Sequence, residues 1–315
     1  MELKDVLTEE EARVYRQGGE KIRRLSEELK KEAPKLDKTD FARSSGSTKS
    51  LGLLSAHLGA DLKKFWRLIN EANRLYSAVK KGMDQAGSTH EFITVQALDL
   101  LGVSDTKTRK ILHGACTAPD REKDLRNLVF EGHFYGKVAG RRNGNFLERV
   151  FGDLAQGLMG FIDRYVDDID ETAFSNFKRY YAHATSNDIQ LKELGWAAHY
   201  LQDLAAPHHA GNMAIGFETV TDNCETHFPF EKFARGYVYD HPTAFRKKAR
   251  DIYNEFRQTF TKKRPEAIAR EVQKRALPNI PKVQILDGAA WTEVIHAAIP
   301  LAIGATAFIC DPLNT

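Results

Sequence analysis

Apolar residues recur every three or four positions through most of the chain, which is the spacing of helices with one buried face. The pattern is clear in residues 191–205, where Leu194, Ala198 and Leu201 fall on one side. Pro207 should end this helix, because proline disfavours helical geometry in the residue before it. The alternation that marks strands is almost absent. We therefore expect an all-α fold.

The same spacing predicts further helices on both sides of this one. Ser88 or Thr89 is suited to cap a helix that Gly102 would end. The most apolar segment, residues 289–310, contains Glu293 and other interruptions, so we expect a buried helix and not a membrane span. Other helices are expected over residues 8–33, 51–81, 146–182 and 230–240, and within residues 243–273.

Histidines and carboxylates concentrate in residues 195–231. His199 and Asp203 are four residues apart, as are His227 and Glu231, so on a helix each pair shares one face. Imidazole and carboxylate together are typical zinc ligands. A lone histidine here would more simply be a hydrogen-bonded core or surface residue, but the combination predicts a metal site. The histidines of this segment are His199, His208, His209 and His227.

Composition and charge leave the class of partner open. The 315 residues have the composition of an ordinary folded protein, and the net charge of +3 is small for this length. Positive charge is concentrated at Arg246, Lys247, Lys248 and Arg250. Such a face could meet an anionic membrane or a nucleic acid, although a solvated helix face is the simpler interpretation.

The cysteines and the first residues bear on where the protein is located. The three cysteines lie far apart and do not indicate a disulfide framework. Cys224, three residues before His227, is a less favoured alternative zinc ligand. The N-terminus is charged from the start and has no apolar core, so we expect no signal peptide and no transmembrane segment. We expect a cytoplasmic location, or export by a non-classical or specialised route.

In the order of its histidines and carboxylates along the chain, the sequence resembles the zinc-dependent phospholipases C of bacteria. That family includes the broad-range bacillary enzymes and the catalytic domain of the clostridial alpha-toxin. The resemblance covers about residues 83–315, and its most specific motif has the form HYLGDxxxPxHxxN. This motif stands here as His199, Tyr200, Leu201, Gln202, Asp203, Pro207, His209 and Asn212. The outer motifs match Thr89 with His90, Asp120 with His133, Phe134 and Tyr135, and His227 with Glu231.

The resemblance implies an all-α catalytic domain with a cluster of two or three zinc ions in a cleft. It implies that Asp120 is also the candidate general base, and that His208 is a neighbour and not the motif histidine. The implied ligands are Asp120, His133, His199 and Asp203 for one zinc, His209, His227 and Glu231 for a second, and His90 with a bridging Asp203 for a third.

Two features depart from the family pattern. The family completes its third zinc site with a mature N-terminal Trp shortly before the histidine that matches His90, and this chain has no Trp there. Asp84 is a candidate substitute, and removal of the preceding residues is the alternative. Arg121 stands where bacillary enzymes carry a Tyr of the choline pocket, and its guanidinium favours an anionic headgroup. Arg121, Phe130 and Asn212 are the candidate substrate-binding residues.

The leading hypothesis is a phospholipase C that cleaves glycerophospholipids at a membrane surface into diacylglycerol and a phosphorylated headgroup. The first alternative is a zinc-dependent single-strand nuclease, since such nucleases of fungi and plants share the fold and a similar motif. Glu231 and the segment after His209 favour the lipase. The second alternative is a non-enzymatic, metal-stabilised interaction protein, which the complete ligand set disfavours. No obligate protein partner is evident.

The residues before the region of resemblance have three interpretations. Residues 1–82 are a helical extension packed on the catalytic domain of residues 83–315, a removable pro-segment, or a segment for delivery or partner binding. The continuous apolar face of residues 51–81 favours the packed extension.

Overall fold

The structure, a computed structural model, describes residues 5–13, 88–121, 172–184, 190–211, 226–260 and 264–311. These residues form helices joined by turns, and no strand occurs among them. The expected all-α class is confirmed for this part of the chain. Residues 9–13 are helical. The other helices of the described residues are α1 (Thr89–Leu101), α2 (Thr106–Ala115), α3 (Ala118–Arg121), α4 (Ala173–Ala184), α5 (Leu191–Ala205), α6 (Pro207–Ala210), α7 (His227–Asp240), α8 (Arg246–Thr259), α9 (Pro265–Ala276), α10 (Ile280–Val283) and α11 (Gly288–Cys310), with a 3₁₀ turn at Leu277–Asn279.

Helix α1 begins and ends at the residues that its sequence predicts. The Ser88 hydroxyl accepts a hydrogen bond from the backbone N–H of Glu91 (3.2 Å), and the Glu91 carboxylate accepts one from the backbone N–H of Ser88 (3.3 Å). This reciprocal pair satisfies two donors at the open helix end. Gly102 ends the helix with φ at 72°, a left-handed conformation that suits glycine. His90 is thereby fixed in the first turn of α1.

Helix α11 lies at the centre of the described structure. It packs against α1, α5 and α8, and Trp291, Ile303 and Phe308 on it are almost completely buried. By length and composition alone α11 could cross a membrane, but 83% of its apolar window is buried inside the protein. This position agrees with the helix expected over residues 289–310.

Other predicted helices lie close to their expected positions. Helix α7 begins at His227, ahead of the predicted start of residues 230–240. The predicted stretch 243–273 forms two helices, α8 and α9. The second begins at Pro265, where the fixed φ and missing N–H of proline suit a first helical residue.

Helices α5 and α2 cross at short distance beside Gly195. A methyl group on Gly195 would lie 2.5 Å from the Cβ of Ala115 and 3.3 Å from backbone atoms of Ala115 and Cys116. Atoms cannot approach so closely in a packed interior, so this crossing requires glycine. The crossing bears on the site because His199 follows Gly195 by one turn of α5.

Replacing Gly195 by alanine should lower the free energy of unfolding by roughly 1–3 kcal/mol, because overpacking forces the two helices apart. The matched control is Gly236→Ala in α7, where an added methyl group meets no atom within 4 Å. That change should stabilise the protein by roughly 0.5–1 kcal/mol, since alanine favours a helix more than glycine does. Urea denaturation measures both variants, and similar changes in the two would contradict a tight crossing.

Residues 5–13 are attached to the helical core. Leu7 and Ala12 are buried, Val6 packs against the core cluster, and Glu11 forms an ion pair with Lys232 of α7. The predicted helix over residues 51–81 lies outside the described residues, and the division of the chain at residue 82 stays a prediction.

Candidate metal centre

Candidate ligands from five helices meet around one buried carboxylate, that of Asp203. Between α5 and α6, Ala206 is extended (φ −79°, ψ 123°), as expected for a residue before proline. The bend at Pro207 turns α6 so that His209 contacts α5. The ligands are His90 from α1, Asp120 from α3, His199 and Asp203 from α5, His209 from α6 and Glu231 from α7.

The two oxygens of Asp203 face three histidines. Its Oδ1 lies 2.9 Å from Nδ1 of His209 and 3.6 Å from Nε2 of His90. Its Oδ2 lies 3.3 Å from Nε2 of His199, four residues away on the same helix. The ligand atoms of His90, His199 and Asp203 lie within 4.8 Å of one another, so this group could hold a metal ion.

Two further carboxylates extend the cluster toward solvent. Asp120 Oδ2 is 4.0 Å from Nε2 of His90, and Glu231 Oε1 is 3.3 Å from Nε2 of His209. Side-chain exposure rises from 1% at Asp203 through 16% at Asp120 to 43% at Glu231. The cluster is therefore shielded from solvent at Asp203 and accessible to solvent at Glu231.

The ring of His199 is oriented by a backbone carbonyl. Its Nδ1 donates a hydrogen bond of 2.7 Å to the carbonyl oxygen of Cys116. A carbonyl only accepts, so Nδ1 keeps its proton and Nε2 is the nitrogen that can bind a metal. The contact joins α5 to the end of α2, next to the close crossing at Gly195.

The ring of His90 is oriented by Gln202, whose role the sequence did not reveal. The amide nitrogen of Gln202 donates to the hydroxyls of Thr94 (3.0 Å) and Thr306 (3.2 Å). Its Oε1 is therefore the atom that faces Nδ1 of His90, at 2.8 Å. Nδ1 donates to it, which leaves Nε2 facing Asp203. The one clue in the sequence was that Gln202 stands where the phospholipase motif has glycine.

Replacing Gln202 by leucine should lower metal affinity roughly 10–100-fold, the usual effect of removing a group that orients a ligand histidine. The matched control is Gln96→Leu, which removes another buried glutamine of the core and should leave metal affinity unchanged. Competition with a chromophoric chelator measures both. Equal affinities in Gln202→Leu and the unaltered protein would contradict the assigned role.

The three histidines that face Asp203 differ in charge. Burial and, to a smaller extent, the neighbouring His199 together lower the pKa of His90 to about 4. Burial also disfavours the charged form of His209, but Asp203 and Glu231 outweigh burial and raise its pKa to about 10. Asp203 and Asp120 likewise outweigh burial at His199 and raise its pKa. Without metal, His209 therefore carries a proton that a metal ion must displace.

The metal-free protein should lose stability between pH 7 and pH 10. The pKa of His209 rises from its ordinary 6.5 to about 10 on folding. Its stabilising contribution is therefore complete below pH 6.5 and is lost as the pH approaches 10. The loss should be on the order of a few kcal/mol, with His199 acting in the same direction.

Urea denaturation in EDTA at several pH values measures this loss. His209→Gln should flatten the pH dependence, whereas His183→Gln, which changes a surface histidine with a side-chain exposure of 60%, should retain it. An equal slope in both variants would assign the pH dependence to other groups.

A pocket of about 170 Å³ opens beside the cluster and has two kinds of wall. One wall carries candidate ligands, and the other is apolar and runs along α11. Lys232 and Arg235 of α7 also line it, so the pocket combines carboxylates, cations and hydrocarbon. The ligand wall includes His90, Asp120, Asp203, His209 and Glu231, and the apolar wall includes Ile93, Phe230, Ala234, Ile295, Ile299 and Ala302.

The structure does not describe the side chains of five of the predicted site residues. His133, Phe130 and Asn212 lie outside the described residues, as do the side chains of His227 and Arg121. The backbone of His227 begins α7, one turn before Glu231. His208, expected to be a neighbour of the cluster, is buried and packs against the ring of Phe230, with centroids 5.3 Å apart.

No family model, curated protein or solved structure matches the chain. The resemblance to zinc phospholipases C therefore rests on the motif residues. The assignment of a candidate metal site rests on the geometry around Asp203.

Proposed function

We propose that the protein is a zinc-dependent phosphodiester hydrolase, and more narrowly a phospholipase C that releases diacylglycerol and a phosphorylated headgroup. The observation that carries the proposal is one pocket that joins an imidazole–carboxylate cluster to an apolar wall. A glycerophospholipid has the matching pair of surfaces, because its phosphodiester adjoins hydrocarbon chains. The partner is then a phospholipid at a membrane surface.

The donor set fits zinc, and two or three ions are proposed. His90 and His199 each have Nδ1 bound to an oxygen acceptor, at 2.8 and 2.7 Å, so Nε2 of each is available. Mixed imidazole and carboxylate ligands are typical of catalytic zinc. When bound, zinc would neutralise charge on the phosphodiester and lower the pKa of water. The resemblance adds His133 and His227 to the proposed ligands.

The side chains of this chain would share the remaining tasks. Asp203 faces three histidines and is the proposed bridging ligand. Asp120 lines the pocket, is partly exposed, and is the proposed general base that orients or deprotonates the attacking water. Arg235 adds positive charge to the pocket wall, beside Lys232, whose charge is already paired with Glu11. Positive charge at the wall favours an anionic substrate.

The side chains of the pocket wall favour a lipid over a nucleic acid as the substrate. Single-stranded nucleic acids are usually bound by exposed aromatic rings on which bases stack. Among the described residues, the apolar wall of this pocket has one aromatic ring, that of Phe230, which is only 6% exposed, and its other side chains are aliphatic. A nuclease therefore remains an outcome of the experiment and not the leading proposal.

The experiment is a metal count on the intact protein combined with hydrolysis assays. The substrates are phosphatidylcholine, phosphatidylethanolamine, phosphatidylglycerol and single-stranded DNA. Two or three zinc ions with diacylglycerol release would support the proposal. Faster cleavage of phosphatidylglycerol than of phosphatidylcholine would support the headgroup role proposed for Arg121.

Three other results would redirect the proposal. Cleavage of DNA without cleavage of lipid would identify a nuclease. Activity that appears only after removal of residues 1–82 would identify an inhibitory pro-segment. Bound zinc with no hydrolysis of any substrate, before or after that removal, would favour a metal-stabilised interaction protein.

A further inference from the structure

A second cavity, lined by arginines, lies at the opposite end of α1 from His90. Its volume is about 480 Å³, within the roughly 300–1,000 Å³ of small-molecule pockets. Asp99 on its wall is nine residues from His90, roughly 14 Å along the helix. The cavity shares no lining residue with the pocket at the candidate metal centre.

Among the described residues, three guanidinium groups and a single carboxylate line this cavity. Arg109 comes from α2, Arg246 and Arg250 come from the first turns of α8, and Asp99 comes from α1. Arg109 is already paired with Asp99, at 2.7 Å. In the described part of the chain neither Arg246 nor Arg250 forms an ion pair. The cavity therefore retains two uncompensated positive charges.

Two of the guanidinium groups are held in place by neighbouring residues. Arg109 donates to Asp99 and, at 3.0 Å, to the carbonyl oxygen of Val103. Arg246 donates through Nε, at 3.3 Å, to the side-chain oxygen of the buried Gln96. Each guanidinium has five N–H donors, so donors remain for a ligand. This fixing lowers the entropy lost on binding.

The basic side chains at the start of α8 also favour a bound anion. Its first turn holds Arg246, Lys247 and Lys248, no acidic residue and no side-chain cap. Basic side chains at a helix N-terminus oppose the helix dipole. The arrangement is unfavourable for the helix alone, and a bound anion would relieve it.

We propose that this cavity binds a phosphate monoester. Such a group carries about −1.5 to −2 charge at neutral pH, which matches the two uncompensated arginines. Guanidinium forks bind phosphate oxygens in pairs. The proposal does not depend on the reaction at the metal centre. The phosphate belongs either to a soluble ester or to a lipid headgroup.

The test compares soluble and lipid phosphates on the full chain. Calorimetry measures glycerol 3-phosphate against dimethyl phosphate, a singly charged diester. Cosedimentation, with EDTA present to prevent hydrolysis, measures phosphatidylcholine vesicles with and without phosphatidic acid. Arg246→Gln and Arg250→Gln should each weaken binding of the monoester about tenfold. Lys247→Gln is the matched control, because Lys247 is exposed on the same turn and does not line the cavity.

Binding of glycerol 3-phosphate that requires both arginines would support the proposal with a soluble ligand. Binding of phosphatidic acid vesicles alone, with the same requirement, would support it with a lipid. Equal weakening by Lys247→Gln would overturn it, because the basic face would then act without specificity. Binding that survives both arginine changes, or that is as tight for dimethyl phosphate, would also overturn it.

Discussion

Replacing Asp203 by asparagine should strongly reduce the proposed phosphodiester hydrolysis and remove at least one metal ion. The carboxylate faces His90, His199 and His209 at 3.6, 3.3 and 2.9 Å, and it is almost completely buried. Changes in groups that only orient a ligand lower activity roughly 10–100-fold, so loss of the ligand itself should lower it on the order of 1,000-fold. Activity assays and a metal count on the same preparation measure both effects.

The control for this prediction is Asp240→Asn, which changes an exposed carboxylate at the end of α7. It should leave metal content and hydrolysis as they are. Circular dichroism establishes that Asp203→Asn is folded. A folded variant with full metal content would show that Asp203 is not a ligand.

Zinc should raise the melting temperature of the metal-free protein by about 8–16 °C when it is present at 1,000 times its dissociation constant. A ligand at that concentration stabilises the folded state by roughly 4 kcal/mol, and each kcal/mol shifts the melting temperature of a large domain by roughly 2–4 °C. The ligands come from separate helices, so the unfolded chain does not hold them together and the ion should bind only the folded state. Thermal denaturation at increasing zinc concentration measures it, with no substrate required.

Two comparisons make this measurement specific. Mg²⁺ prefers oxygen ligands and octahedral geometry, so it should shift the melting temperature far less. Asp203→Asn should show little response to zinc. A response to zinc as large in that variant as in the unaltered protein would place the stabilising ion elsewhere.

The parts of the site that sequence analysis could predict are those set by local rules. The spacing of His199 and Asp203 fixes their common face once residues 191–205 are helical, and Pro207 fixes the end of that helix. Ser88 and Gly102 fix the ends of α1 by capping. Each of these depends on residues within a few positions of one another, where helix geometry and backbone sterics dominate.

The parts that sequence analysis could not predict depend on contacts between distant segments. Gln202 binds hydroxyls on α1 and α11, 108 and 104 residues away. The partner of His199 is a backbone carbonyl, which any residue type supplies. The basic run at Arg246 forms the solvated helix face that the sequence predicts, since Arg246, Lys247 and Arg250 are exposed. What the sequence does not show is that Arg109 and the buried Gln96 lie beside it.

The close crossing of α5 and α2 bears on how the protein varies among its natural homologues. Positions 115 and 195 together have room for one methyl group. A homologue that gains alanine at 195 should carry glycine at 115, and one that enlarges residue 115 should fail to keep the crossing. In an alignment these positions would then change together, although neither side chain binds a metal or a substrate. Such covariation would help to identify members of the protein's family from two positions that lie outside the metal-binding motifs.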